Sequence, residues 1–496
     1  MSTSRDPRPL TAAPLSTGKI VFLVIAAAAP LAAMVGTVPL AFALGNGPGF
    51  PAMFVAAGVT LLCFSVGYAA MSRRIVNAGG FYTYLSCGLG RPVAVAGGLL
   101  AIVAYGAVAI GLAGAFGYFA QLVAAAHGLD LPWEVWGAVG IGLTAALAYR
   151  RIDLNARVLA VLMVAEISIL LVFDLAVLAH DGARALPLDA LHPDSVLSGG
   201  IGVSLMFAYV SYIGFESAAL YGEETRNPRR SVPVATYTSV VVITLFYALT
   251  SWIAVGAIGP DRVRQTAGEQ LGNLFFALSD QYLNGFATTI LQILLCTSLF
   301  AALLALHNAA NRYLFALGRD RVLPAWLGRP HHRHGSLHRA SAVLTVVTVV
   351  VMAAAALGGL DPYVDLAAGM LGLGTLGIIV LQAAAALAVV AFFRNRPDRH
   401  WWRTGLAPTL GLVGLVAAVV LLVANFPVLT GSQSPVTNAL PWLLVLAALL
   451  GLGHAVWLRA SRPEVYESLA TVHLRSVTED APPLRPPATR APVGVE

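Results

Sequence analysis

Charge is scarce in this sequence. Only 11% of its 496 residues are Asp, Glu, Lys or Arg, against roughly a quarter in a soluble domain. A water-facing surface cannot be built from so few, so an ordinary soluble globular fold is excluded. Cysteine is nearly absent. Cys63, Cys87 and Cys296 provide neither a disulfide framework nor a metal-ligand spacing. There is no His-Glu-x-x-His, no Gly-x-x-x-x-Gly-Lys loop and no Gly-x-Ser-x-Gly turn. Metalloprotease, nucleotide-driven and serine-hydrolase chemistry therefore have no sign here. The ten-residue alternating strands of a membrane barrel are also missing, and the first apolar run lacks the small-residue cleavage site of a signal peptide.

Hydrophobic residues are abundant, at 58% of the chain with a mean hydropathy of +0.78. About 20 apolar residues cross a bilayer as helix. Twelve such runs occur, near 20–44, 50–71, 93–125, 133–149, 155–179, 200–221, 233–257, 285–311, 340–358, 364–393, 405–426 and 438–459. The expected fold is an all-α polytopic membrane protein with twelve transmembrane helices. The basic residues alternate with these runs. Of the 30 Lys and Arg, all but Arg184, Arg262 and Arg264 fall in the tails or after even-numbered spans. Basic loops stay cytoplasmic, so both termini are expected inside, in the cytoplasmic membrane. The basic balance concerns orientation, and no nucleic-acid partner is implied.

Two spans are interrupted by sequence. In the sixth, the apolar run Ile201–Val210 meets Ser211-Tyr212-Ile213-Gly214-Phe215-Glu216. A carboxylate at bilayer depth costs roughly 3 kcal/mol or more, so Glu216 is expected to face a protein or water-lined interior. The charged exit Glu223-Glu224-Thr225-Arg226-Asn227-Pro228-Arg229-Arg230 follows. In the first span, Pro30 and Pro39 bracket Met34-Val35-Gly36-Thr37-Val38. Proline removes a backbone donor and glycine adds freedom. This predicts unwinding near 34–38; a continuous Pro-kinked helix is the alternative. Spans one and six lie an odd number apart, hence run oppositely. Matching interruptions in oppositely oriented halves point to an inverted-repeat transporter whose site lies between them. Helix N-termini there suit a carboxylate, and freed carbonyls suit an ammonium group. A channel would more naturally show a charge ring or a repeated filter loop.

Other polar groups within spans are few. Glu166 lies at mid-membrane in span five, either as a functional carboxylate or as a structural one bonded to a Ser or Thr. Asp174, eight residues on, reads as interfacial. Thr297-Ser298 in span eight is a thin case for a sodium site, since such hydroxyls often bond only a backbone carbonyl. The loop 259–284 suggests a surface helix or cap. His331, His332, His334 and His338 suit a solvated basic loop better than a metal site. The tails, 1–17 and 461–496, read as disordered and cytoplasmic.

Three motifs in order are similar to those of the amino acid–polyamine–organocation permeases. They are Gly79-Gly80-x-Tyr82-x-Tyr84, then Gly214-Phe215-Glu216 with Glu223-Glu224-Thr225-x-Asn227-Pro228-x-Arg230-x-x-Pro233, then Asn311-Arg312 with Ala316, Arg319, Asp320 and Pro324. The resemblance covers about 18–460. It implies a leucine-transporter-like fold, a 5+5 inverted repeat over about 18–180 and 198–394, with helices eleven and twelve over about 404–460. It places substrate against Met34, Gly36, Thr37 and Val38 of the first span and Val210, Ser211 and Ile213 of the sixth. The family's Gly-Ser/Thr-Gly stands here as Gly36-Thr37-Val38, without the second glycine. A lysine that some members carry on helix five falls on Met163.

The resulting expectation is a permease moving an amino acid or related amine by alternating access, without cofactor or metal. Protons are the expected coupling ion, carried by Glu166 or Glu216, the latter also able to tie the sixth-span break to its neighbours. Exchange without an ion is the alternative, as is a non-transporting membrane sensor on the same fold.

Overall fold

A computed structural model describes residues 16–75, 80–150, 156–216, 228–332, 334–430 and 438–469. Gly79, the stretch Glu223 to Asn227 and the tails at 1–15 and 470–496 lie outside the described residues. Every regular element among the described residues is helical. Among the described residues nine helices are long and apolar enough to cross a membrane, and two shorter apolar ones, Pro30–Leu44 and Ile201–Val210, accompany them. Trp133–Arg150 is helical too. It does not stand among the nine, and it carries Glu134 and Arg150 near its ends.

The helices that frame the site are α1 (Thr17–Ala27), α2 (Pro30–Leu44), α3 (Phe50–Ser72), α4 (Gly80–Leu89), α5 (Arg91–Ala126), α6 (Trp133–Arg150) and α7 (Ala156–Asp181). After them come α8 (Ile201–Val210), α9 (Pro228–Ile258), α10 (Val263–Gln270), α11 (Leu274–Tyr282), α12 (Gly285–Arg319) and α13 (His338–Leu357). The chain continues with α14 (Ala368–Phe393), α15 (Ala407–Ala424), α16 (Pro441–Ser461) and α17 (Pro463–Ser468). The core is built on α5, which packs against α12, α14 and α16. Alanine and glycine fill its buried faces, and small residues let membrane helices approach closely.

Polarity is reversed relative to a soluble protein. Val161, Leu245, Val346, Val413, Leu449 and Val456 all point outward, on α7, α9, α13, α15 and α16. Contiguous exposed apolar surface of this kind belongs in lipid. Trp401, Trp402, Trp442 and Trp457 are exposed near span ends, where amphipathic rings anchor at an interface.

One end of the molecule is tied by polar contacts between distant segments. Arg74 pairs with Asp398 at 2.6 Å. Arg91 donates to the carbonyls of Leu469 and Glu467. Thr17 bonds Ser231 at 2.8 Å, and Tyr149 meets His331 at 3.3 Å. The helix α17, within the stretch read as a tail, is held by the Arg91 contacts. The rings of His331, His334 and His338 gather on Tyr149, an aromatic cluster where the sequence reading has a solvated loop. Among the described residues no His, Cys, Asp or Glu group is arranged to hold a metal.

At the other end, α10 and α11 form a cap. Leu274, Phe275, Phe276 and Leu278 are buried, and α10 lies on α2. Asn46 locks the first span to the sixth: Ser204 donates to Asn46 Oδ1 at 2.7 Å, and Asn46 N–H donates back to Ser204 Oγ at 2.8 Å. Gly45 is required for this fit, because a Cβ there would collide with Ser204 and the carbonyl of Ala41. Gly45→Ala should therefore lower stability by about 1–3 kcal/mol, read as a fall in melting temperature of the purified protein. An unchanged melting temperature would show that this contact yields easily.

Candidate substrate site between two broken spans

The first span breaks at Ala28–Ala29, not at 34–38. Residues 34–38 are continuous helix, with Pro39 accommodated inside α2. The physical reason is Pro30. Proline has no N–H and disfavours helical geometry in the residue before it. Ala29 accordingly sits at φ 46, ψ 72, and Pro30 starts a new helix at its first position, where a missing N–H costs nothing. A left-handed alanine is uncommon and mildly strained.

The new helix end is fully engaged. Leu31 N–H donates to Glu166 Oε2 at 3.3 Å, Ala32 N–H to Ser298 Oγ at 3.3 Å, and Ala33 N–H to the Ala29 carbonyl at 2.9 Å. Ser298 also donates to Glu166 Oε2 at 2.8 Å. Three spans thus meet at one point: α2 by its N-terminus, α7 by Glu166, and α12 by Ser298. A carboxylate at a helix N-terminus is favoured by the partial positive charge there. Thr297 behaves differently, returning its hydroxyl to the Leu294 carbonyl.

The helix of the sixth span ends where the sequence places its interruption, and residues 217–227 lie outside the described residues. The helix α8 ends at Val210, residues 211–214 form turns, and Gly214 has φ 114, a conformation open to glycine. Glu216 folds back so that Gly214 N–H donates to its Oε2 at 3.1 Å, while Tyr105 donates to Oε1 at 2.6 Å. Tyr68 donates to the Glu216 carbonyl at 3.2 Å.

Between the breaks lies a cavity of about 40 Å³. Ala28, Ala29, Ala32, Ala33, Gly36 and Thr37 form one wall, and Val210, Ser211 and Ile213 another. Val108, Leu112, Ala115, Leu299, Ala302, Leu306 and Leu371 close it. Among the described residues no charged side chain lines it. Thr37 donates to the Ala33 carbonyl at 2.6 Å and Ser211 to that of Phe207 at 3.0 Å, with the two hydroxyl oxygens 3.4 Å apart. Tyr363 donates to the Gly36 carbonyl at 3.1 Å. Five of the seven substrate residues expected from the sequence therefore share this cavity. Met34 and Val38 do not line it; both are fully buried elsewhere. Positions 29, 32, 33 and 36 form one helical stripe, and 34 and 38 lie off it.

A second cavity of about 30 Å³ adjoins Glu216, walled by Tyr68, Gly80, Phe81, Tyr105, Gly214, Ala309 and Tyr313. Segments of all three sequence motifs meet here. Tyr313 accepts the Phe81 N–H at 3.3 Å, and Tyr82 donates to Asp320 at 3.1 Å. Burial, and then the Asp320 carboxylate, push the Tyr82 hydroxyl well above its ordinary range, so it remains a donor. Asp174, read as interfacial, does not face outward. It is buried, with Oδ2 accepting from Thr250 at 2.7 Å, because its face of α7 turns onto α9. Among the residues that sequence reasoning missed are Ala28 and Ala29 of the cavity wall, and Tyr363, which holds the Gly36 carbonyl. Proline at a helix start was the available signal for the first two; Tyr363 had none.

A family profile described as amino acid permease matches residues 10–450. A branched-chain amino acid permease of Bacillus subtilis is 25% identical over 438 residues, covering 81% of this chain and 85% of the relative. An uncharacterized transporter of Rhizobium meliloti is 27% identical over 342 residues, covering 67% and 71%. A methylthioribose transporter of Bacillus subtilis is 24% identical over 397 residues, covering 75% and 79%.

Proposed function

The chain belongs to the amino acid permease family, within the amino acid–polyamine–organocation superfamily, and is a multi-pass membrane transporter rather than an enzyme; from that premise we propose that it carries a zwitterionic amino acid with an aliphatic side chain, coupled to protons. The observation that carries this reading is the cavity between the two breaks. Its polar groups are two hydroxyls and the backbone of the first break, and its remaining walls are alanine, valine, leucine and isoleucine. A charged side chain would enter it unpaired, at a cost of several kcal/mol. The branched-chain specificity in one relative's name agrees with such walls.

The architecture we propose is twelve spans in a 5+5 inverted repeat plus two. The nine long helices, α6 and the two interrupted spans support that count. We propose that both termini lie in the cytoplasm; the distribution of Arg supports this, and the contacts of Arg74, Arg91 and Thr17 agree with those loops sharing one end. A fluorescent protein fused at the C-terminus should fold and emit; a dark fusion with a periplasm-active reporter lit would reverse the orientation.

Protons are favoured over sodium because the hydroxyls of Thr297 and Ser298 are engaged, Thr297 with its own helix and Ser298 with Glu166. Glu166 is the carrier we propose, since it touches the first break itself.

A thermal-stabilisation screen of purified protein against the common amino acids, small amines and methylthioribose tests the substrate class. Ligand at a hundredfold its Kd adds about 2.7 kcal/mol. Stabilisation is expected from leucine, valine or isoleucine and not from lysine or glutamate; the reverse pattern would overturn the assignment. Thr37→Val removes a hydroxyl oxygen that can face an ammonium group. A hydrogen bond to a charged group contributes roughly 1.5–3 kcal/mol, so the KM for L-leucine uptake should rise about tenfold or more with unaltered melting. An unchanged KM would remove Thr37 from the contacts.

A further inference from the structure

The helix end that faces the central cavity has no donor to spare. Pro30 brings none, and the N–H groups of Leu31, Ala32 and Ala33 are all bonded within the protein. The acceptor at its tip is itself a carboxylate, Glu166, 5% exposed and bonded through Oε2 alone among the described residues. Ala29, Ala32 and Ala33 of the same turn line the cavity. A substrate carboxylate seeking this helix end finds its place filled by a carboxylate of the chain.

We propose that Glu166 is a resident substitute for the substrate carboxylate, and that substrate and proton are coupled because the two carboxylates compete for the N-terminus of α2. This rests on the functional reading above and gives its coupling a mechanism. Arriving amino acid takes the Leu31 N–H from Glu166 Oε2. The displaced carboxylate is left among apolar groups, where an unpaired charge is neutralised rather than retained. It takes one proton from solution, and that proton leaves when the substrate departs and Glu166 returns to the helix end. The charges near it do not offer another partner. No ion pair of Glu166 exists among the described residues. From α9 it faces Tyr247, whose hydroxyl donates to the Ala28 carbonyl at 3.3 Å. From α12 it faces Ser298, and from α2 only backbone. On α7 itself, Asp174 is bound to Thr250.

The sign of the proton linkage separates this from the obvious alternative, in which Glu166 pairs with the substrate ammonium. Competition makes binding take up a proton, so the Kd rises with pH, by up to tenfold per unit. Ammonium pairing needs the ionised carboxylate, so the Kd would rise as pH falls. The experiment measures L-leucine binding to purified full-length protein by calorimetry between pH 6 and 8, with proton uptake followed by a dye in weak buffer. Wild type should take up close to one proton per leucine. Glu166→Gln, which keeps an oxygen for Leu31 N–H, should bind leucine with no proton uptake and a pH-independent Kd. Glu166→Ala should bind at least tenfold tighter than wild type at pH 8, because the helix end is vacated; the Gln variant decides the matter if the Ala variant does not fold. Leucine binding without proton uptake in wild type, or with the opposite slope, overturns the competition alone. Failure of leucine and of every other aliphatic amino acid to bind wild type overturns the functional reading and this inference with it.

Discussion

Glu166→Gln should abolish gradient-driven accumulation while sparing exchange. With vesicles two pH units more alkaline inside than out and no sodium, one proton per substrate supports up to about a hundredfold accumulation, or roughly 2.7 kcal/mol. The variant cannot gain or lose the proton, so its internal L-leucine should stop near the external concentration. Counterflow of labelled for unlabelled leucine should persist, because the amide oxygen can still accept from Leu31 N–H and the cavity walls are untouched. Retention of most of the accumulation in the variant would remove Glu166 from coupling. Uptake that required sodium in wild type would remove protons altogether.

The second large effect concerns Glu216, and it is one of folding. Its carboxylate accepts from Tyr105 and from Gly214 N–H, shielded from solvent. Glu216→Ala leaves both donors buried and unpaired, at about 1–3 kcal/mol each. That is a sizeable share of the 5–15 kcal/mol by which proteins are typically stable. Sharply reduced folded yield and melting temperature are expected for Ala. Glu216→Gln, which retains an oxygen and the shape, should restore both along with gradient-driven uptake. If Gln folds but loses the response to the pH gradient, Glu216 carries the proton and the division of roles between the two carboxylates is wrong.

Membrane character and the sixth-span break were legible because composition and local chemistry decide them. Few charges force the chain into lipid, and Gly214 beside Glu216 cannot continue an apolar helix comfortably. The first break was misplaced by about two turns. Glycine and threonine at 36–37 weaken a helix only slightly, and Pro39 sits in α2 without breaking it. Pro30, preceded by a run of alanines, was the stronger signal, since only there does the backbone turn left-handed. Gly36 and Thr37 line the cavity despite this, because they lie on the same helical face as Ala29, Ala32 and Ala33. A Ser or Thr partner for Glu166 was readable as a type, but not which one, nor the backbone donor. Leu31 N–H is backbone and leaves no mark in side-chain chemistry, and Ser298 lies 132 residues away. Asp174 misled for a similar reason: position along a helix gives depth, whereas burial depends on which neighbour the face meets.

The central claim, that the substrate sits between the two broken spans, is tested most directly by thiol protection. Cys63, Cys87 and Cys296 are replaced by serine or alanine, and single cysteines are placed at Ala33 and Ile213 on the cavity wall and at Leu188, which is exposed at 75%. Reaction with a small membrane-permeant maleimide is timed in sodium-free buffer. Saturating L-leucine should slow labelling of Ala33→Cys and Ile213→Cys at least tenfold and leave Leu188→Cys unaffected, while L-lysine changes none of them. Leucine that is transported by these variants yet protects neither wall position would contradict the account.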